Sequence, residues 1–168
     1  QKVKEKLQLF RHVKTLIYSS DYPEINEGVA DLVQRLRNTP DDKLPIFTWG
    51  SKTDATLKIT SLLKDGQFTY IGGIYDSEDI TIKIPFTDDG SVENAIACWC
   101  TLLHLGFDHR QIEEKMLQLQ PLAMRLELKK GINNCSIIND SYSADISSLT
   151  IALDFLSQQQ QHHRKTVI

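Results

Sequence analysis

The chain has 168 residues, with 40% hydrophobic and 24% charged side chains and a net charge of −3. At about 150 residues per domain it holds one domain, or one domain and part of another. The balance excludes collagen-like or low-complexity disorder, and there is no basic excess to drive binding along a nucleic-acid backbone.

The longest apolar runs fall far short of the ~20 residues that span a bilayer, and no signal peptide opens the chain. Cys98, Cys100 and Cys135 are an odd number in apolar surroundings. They fit a reducing cytosol better than a disulfide framework, so the expectation is a cytoplasmic protein without membrane insertion.

Val3, Leu7 and Phe10 recur at i, i+4 and i+7 and line one face of a first helix. Neither a methionine nor an N-cap residue precedes it, and the chain closes on Arg-Lys-Thr-Val-Ile, the onset of a strand. The expectation is a piece of a longer polypeptide; fraying at the ends of an intact small domain is the alternative.

Leu16–Tyr18 reads as a buried strand ending at Ser19-Ser20-Asp21. A helix follows over 24–37, with Ile25, Val29, Leu32, Val33 and Leu36 as its apolar stripe. Pro45–Trp49 reads as a second strand, and the β–α–β order predicts a parallel pair. Thr56–Leu63, Gln67–Tyr75 and Asp79–Pro85 are β-rich and separated by polar turns, so they predict an antiparallel meander.

Ser91 is a candidate cap for a helix reaching Leu105, which Gly106 ends. Asp108 and Gln111 form a capping-box pattern for a helix to about Leu119, closed by Pro121. Two short strands, Arg125–Lys129 and Cys135–Asn139, precede a helix over 147–159 and a last strand. The fold class expected is α/β. His162-His163 reads as a solvated helix end rather than a metal site. Cys98 and Cys100 sit ~200° apart on a helix, which disfavours a shared metal and predicts two core thiols.

Three constellations are candidates to carry chemistry. Residues 137–145, Ile-Ile-Asn-Asp-Ser-Tyr-Ser-Ala-Asp, deliver Asn139, Asp140 and Tyr142 at the carboxyl end of a strand. Ligands of open α/β sheets bind at such ends, and a carboxylate there accepts hydrogen bonds from ribose hydroxyls. An Asx-rich turn capping the next helix is the equal alternative. Gly90-Ser91-Val92-Glu93-Asn94-Ala95 opens a helix, where free amides favour anions and Asn94 offers an amide to a base edge; ordinary capping is the alternative. Arg125 stands where helix gives way to strand. It suits bidentate phosphate binding or a surface ion pair. The chain contains no Gly-x-x-x-x-Gly-Lys-Ser/Thr phosphate loop, no His-Glu-x-x-His and no Gly-x-Ser-x-Gly.

In order along the chain, Glu-Lys-Leu-Gln-Leu-Phe (5–10), Glu-Asn-Ala-Ile-Ala (93–97), Ala-Met-Arg-Leu-Glu (123–127) and Ile-Asn-Asp-Ser-Tyr-Ser-Ala-Asp (138–145) resemble the Mur ligases, the ATP-dependent amide-bond-forming family of peptidoglycan synthesis. The Asp-Ser-Tyr form with a following Ala is similar to the members that add D-alanyl-D-alanine. Ser91 and Ser143, where the family usually has Asn, resemble the subgroup fused to an alanine racemase, whose PLP belongs to a part outside this chain.

The resemblance implies that residues 1–122 are the later part of a central ATPase domain. Residues 123–168 would begin a Rossmann-like C-terminal domain, with a hinge near Pro121–Arg125. It implies ATP and Mg2+ as cofactors, and a UDP-linked muramoyl tripeptide and D-alanyl-D-alanine as substrates. Lys6 matches a lysine that is carbamylated to become an anionic metal ligand, a reaction that burial favours. Asn94 matches a base contact, Arg125 a hinge arginine on the nucleotide, and Asp140 the acid on the ribose. Ser91 removes one of two usual asparagine contacts. A non-catalytic α/β interaction module and a folylpolyglutamate-synthetase-like ligase remain as alternatives.

Overall fold

Two short apolar runs separated by an amphipathic helix pair side by side in this chain. In the computed structural model, which describes residues 2–36, 44–52, 54–120, 126–142, 146–159 and 164–167, β1 (Leu16–Ser19) lies parallel to β2 (Ile46–Gly50), in the register Leu16↔Ile46 to Ser19↔Trp49. Helix α2 (Pro23–Leu36) makes the crossover. Along β1 the side chains alternate as strand geometry requires. Leu16 and Tyr18 join a cluster with Leu7, Val29 and Leu32, whereas Ile17 packs against the larger cluster on the other side. The first cluster is built by α1 (Lys2–Leu7), the 3-10 turn Gln8–Phe10 and α2, with Val3, Leu7 and Phe10 on the packed face as their spacing predicts.

The meander forms as β3 (Leu57–Lys64), β4 (Thr69–Tyr75) and β5 (Glu78–Ile84), all antiparallel. It is not a separate layer. The Trp49↔Leu57 and Gly50↔Lys58 pairs join β3 to β2 in parallel, giving one mixed sheet in the order β1-β2-β3-β4-β5. A register shift between Ile59 and Ser61 marks a bulge in β3.

Helix α3 (Asp89–His104) and α4 (His109–Leu117) cover this sheet, and Trp99, Cys100, Ile112 and Met116 pack onto Leu57, Ile71, Ile82 and Ile84. The cap of α3 is Asp88 rather than Ser91. Asp88 is extended, and its Oδ1 accepts the Ser91 N–H at 2.8 Å, so Ser91 is the capped residue and the helix starts at Asp89. At the other end Gly106 takes φ +79, where a Cβ is disfavoured, and its N–H returns to Leu103 O at 2.9 Å. Asp108 caps α4 through the amides of Arg110 and Gln111.

One of the two expected core thiols is not in the core. Cys100 is buried, and Cys98 is exposed on the far side of α3. Burial pushes the Cys100 thiol up to about 12. Two thiols, Cys98 and Cys135, are therefore expected to react with a thiol reagent in the native chain at pH 8, and the third only after unfolding. Immediate titration of all three would contradict this packing. The sign of the pH effect follows: the stability that neutral Cys100 contributes is complete below about pH 9 and is lost as pH climbs toward 12.

After α4, β6 (Glu127–Lys130) and β7 (Ser136–Asn139) form a separate antiparallel pair, followed by α5 (Ile146–Gln158). The Asn133 and Asn134 backbones take φ of +55 and +56 in the connecting turn, a conformation asparagine tolerates. Residues 164–167 carry no strand, contrary to the expectation from Val167 and its neighbours. Pro121, Arg125 and the expected hinge between them, the 122/123 boundary, Ser143 and the His162-His163 pair lie outside the described residues.

Candidate functional site

Between the five-stranded sheet and the β6–β7 pair lies a cleft of about 680 Å³. Its near wall is one face of α3. Ser91, Asn94, Ala95 and Cys98 recur at helical spacing and line it. Its far wall is β6 and α5, where Ser148, Ile151, Phe155 and Gln159 form a second stripe at i, i+3, i+7 and i+11. Phe86, Leu119 and Leu128 complete apolar sides, and Gln67, Gln120 and Asp140 add polar groups. Apolar walls with a few convergent donors and acceptors are the usual build of a small-molecule site.

The structure brings Asn94 and Asp140 to this one cleft from opposite walls, the first on α3 and the second just after β7. The Asp140 Oδ1 accepts the Leu126 N–H at 3.1 Å, across the end of the β6–β7 ladder. Asn139 turns its Oδ1 toward Ser141, accepting from the amide at 3.3 Å and the hydroxyl at 2.8 Å. It shapes the turn and does not line the cleft. Tyr142 is 60% exposed and also lies off the cleft lining. Arg125 is outside the described residues.

Lys6 is exposed on α1, because Val3 and Leu7 take the packed face of that short helix. It lies on the α2 side of the sheet and does not line the cleft. Among the described residues no group of three His, Cys, Asp or Glu side chains could hold a metal ion.

A second, smaller cavity of about 450 Å³ lies at the carboxyl ends of β1 and β2. Its acids already have partners. Asp21 accepts from the Ser51 amide at 2.7 Å, the Ser51 hydroxyl at 2.9 Å and the Lys52 amide at 2.8 Å, tying the two strand ends together. Asp89 pairs with Lys64 at 2.6 Å. Glu93 accepts from the Tyr22 hydroxyl at 2.5 Å, which raises the Tyr22 pKa.

Sequence reasoning missed the apolar walls. Phe86, Leu119, Leu128 and Phe155 come from separate elements, and each looks like an ordinary core residue locally. One local signal exists, the stripe on α5, a helix that buries none of its residues fully.

No family model matches the chain. It is 26% identical over 166 residues to the UDP-N-acetylmuramoyl-tripeptide–D-alanyl-D-alanine ligase of Bacillus subtilis, a match spanning 97% of this chain and 33% of the relative. Among solved structures it is similar to MurF from Acinetobacter baumannii, with a TM-score of 0.70, 21% identity, and coverage of 92% of this chain and 32% of that one. It is also similar to the MurF ligase from Thermotoga maritima in complex with ADP, at TM-score 0.65, 15% identity, and 91% and 33% coverage. The chain thus spans about a third of the length of the proteins it matches.

Proposed function

We propose that this chain, which has the fold of the Mur ligases and is similar to one of them in sequence from end to end, belongs to an ATP-dependent ligase that joins D-alanyl-D-alanine to a UDP-N-acetylmuramoyl-tripeptide, and that the cleft between its two sheets is the nucleotide site. Residues 1–122 would then be the later part of the ATPase domain, and 123–168 the start of the next domain. The observation that carries this reading is the convergence of Asn94 and Asp140 on one apolar-walled cleft.

Each residue has a stated task there. The Asn94 amide pairs with the edge of a base held between the apolar walls. The Asp140 carboxylate accepts from ribose hydroxyls, a charge-assisted bond of the stronger kind. Arg125 neutralises phosphate charge from the segment joining α4 to β6. ATP bound there supplies the phosphoryl group that activates a carboxylate for attack by an amine. The chain's own contribution is position: holding the nucleotide by its base and sugar turns an encounter into an oriented reaction.

The test is phosphate release by the intact polypeptide. It is expected to require ATP, the muramoyl tripeptide and D-alanyl-D-alanine together. Release with other acceptor pairs in their place would move the protein to a different ligase of the same kind, and failure to bind any nucleotide would reject the reading. The 168-residue chain alone, whose sequence holds no phosphate loop, is expected to show no turnover.

A further inference from the structure

Leu126, the residue before β6, takes φ +46, a left-handed conformation that a side chain with a Cβ disfavours. It is not left to relax. The β6–β7 ladder pairs Glu127 with Asn139, so Leu126 and Asp140 stand at the next step outward. There the Asp140 carboxylate, at 3.1 Å, holds the Leu126 N–H in place of a backbone carbonyl. Both residues line the cleft, as does Leu128 on β6.

We infer that Asp140 is a positioning residue for the cleft itself: through the Leu126 amide its carboxylate fixes the Leu126 backbone at the start of β6, and so sets the wall that faces α3. The consequence for ligand binding rests on the nucleotide reading above. A ligand hydroxyl on that carboxylate engages the group that holds Leu126, so filling of the cleft and placement of β6 are coupled through one side chain.

Amide hydrogen exchange on the intact polypeptide tests this, first without any ligand. Asp140→Asn keeps an oxygen that accepts from Leu126, and exchange at Leu126 should stay near the wild-type rate. Asp140→Ala removes the acceptor, and exchange there should rise at least tenfold while the amides of α3 keep their protection. Equal exchange in all three proteins, or Asn exchanging as fast as Ala, overturns the inference. If Asp140→Ala unfolds too far to read, Leu126→Gly supplies the second variant. Glycine takes φ +46 freely, so Asp140→Ala should cost less melting temperature in that background, and strict additivity counts against the inference.

A last arm adds ADP. Slower exchange at Leu126 in the wild type, with a smaller effect in Asp140→Asn, supports the coupling. If ADP binds and leaves Leu126 exchange unchanged, the coupling is rejected. If ADP does not bind while the ligand-free results hold, the nucleotide reading fails and the positioning role stands.

Discussion

Asp140→Ala in the intact polypeptide is expected to raise the ATP KM by about 10- to 150-fold. On the nucleotide reading proposed above, the change removes a charge-assisted hydrogen bond to the ribose, a loss of roughly 1.5–3 kcal/mol, and each 1.4 kcal/mol is about tenfold in affinity. The KM for the muramoyl peptide should move much less, because Asp140 lies on the cleft with Asn94. A second effect accompanies the first. The Leu126 amide loses its acceptor, so the melting temperature should fall as well. Asp140→Asn separates the two. It keeps an acceptor for Leu126 and discards the negative charge, so its melting temperature should stay near that of the wild type while its ATP KM still rises. A lowered melting temperature in Asp140→Ala with an unchanged ATP KM would reject the nucleotide role and leave the carboxylate a purely structural one.

The two candidate residues that share the cleft were legible because local sequence marks them. Asn94 sits in the first turns of a helix announced by Asp-Asp-Gly-Ser, and Asp140 follows an apolar strand and precedes a helix. The β1–α2–β2 unit was legible for a similar reason. Its helix has a clear stripe, and the observed Pro23–Leu36 departs from the expected 24–37 by one residue at each end.

What was not legible is what distant parts of the chain decide together. Asp88, Asp89 and Ser91 can all cap a helix, and only the extended backbone at Asp88 selects one. Helical periodicity separates Cys98 from Cys100 by over half a turn, but the side on which the sheet lies decides which is buried. The parallel joining of β3 to β2 is a pairing between strands that each look complete. The exposure of Lys6 follows from which face of α1 meets α2, and the apolar walls of the cleft exist only once α5 and α3 face one another.

Trp99→Ala is expected to produce the largest loss of stability, about 3–5 kcal/mol as for other buried aromatic truncations. Trp99 is fully buried between α3 and the sheet, in the cluster with Leu57, Ile71 and Ile82. Its ring also lies 6.5 Å from the His109 ring, so it links α3 to the start of α4. Truncation leaves a cavity at the centre of this layer. Trp99→Phe is the informative control. The Trp99 Nε1 has no hydrogen-bond partner among the described residues. Phenylalanine deletes that unsatisfied donor, an advantage that offsets part of the lost volume, and should cost much less than alanine. Five residues separate Trp99 from Asn94, about 140° around the helix, so one faces the core while the other faces the cleft. In conditions where Trp99→Phe is fully folded its nucleotide affinity should match the wild type. Denaturant midpoints followed by circular dichroism, with ADP titration beside them, read both quantities. A loss below about 1 kcal/mol in Trp99→Ala, well under the range for a buried aromatic, would show that α3 is not seated on the sheet through this residue, and with it the near wall of the cleft would be misplaced.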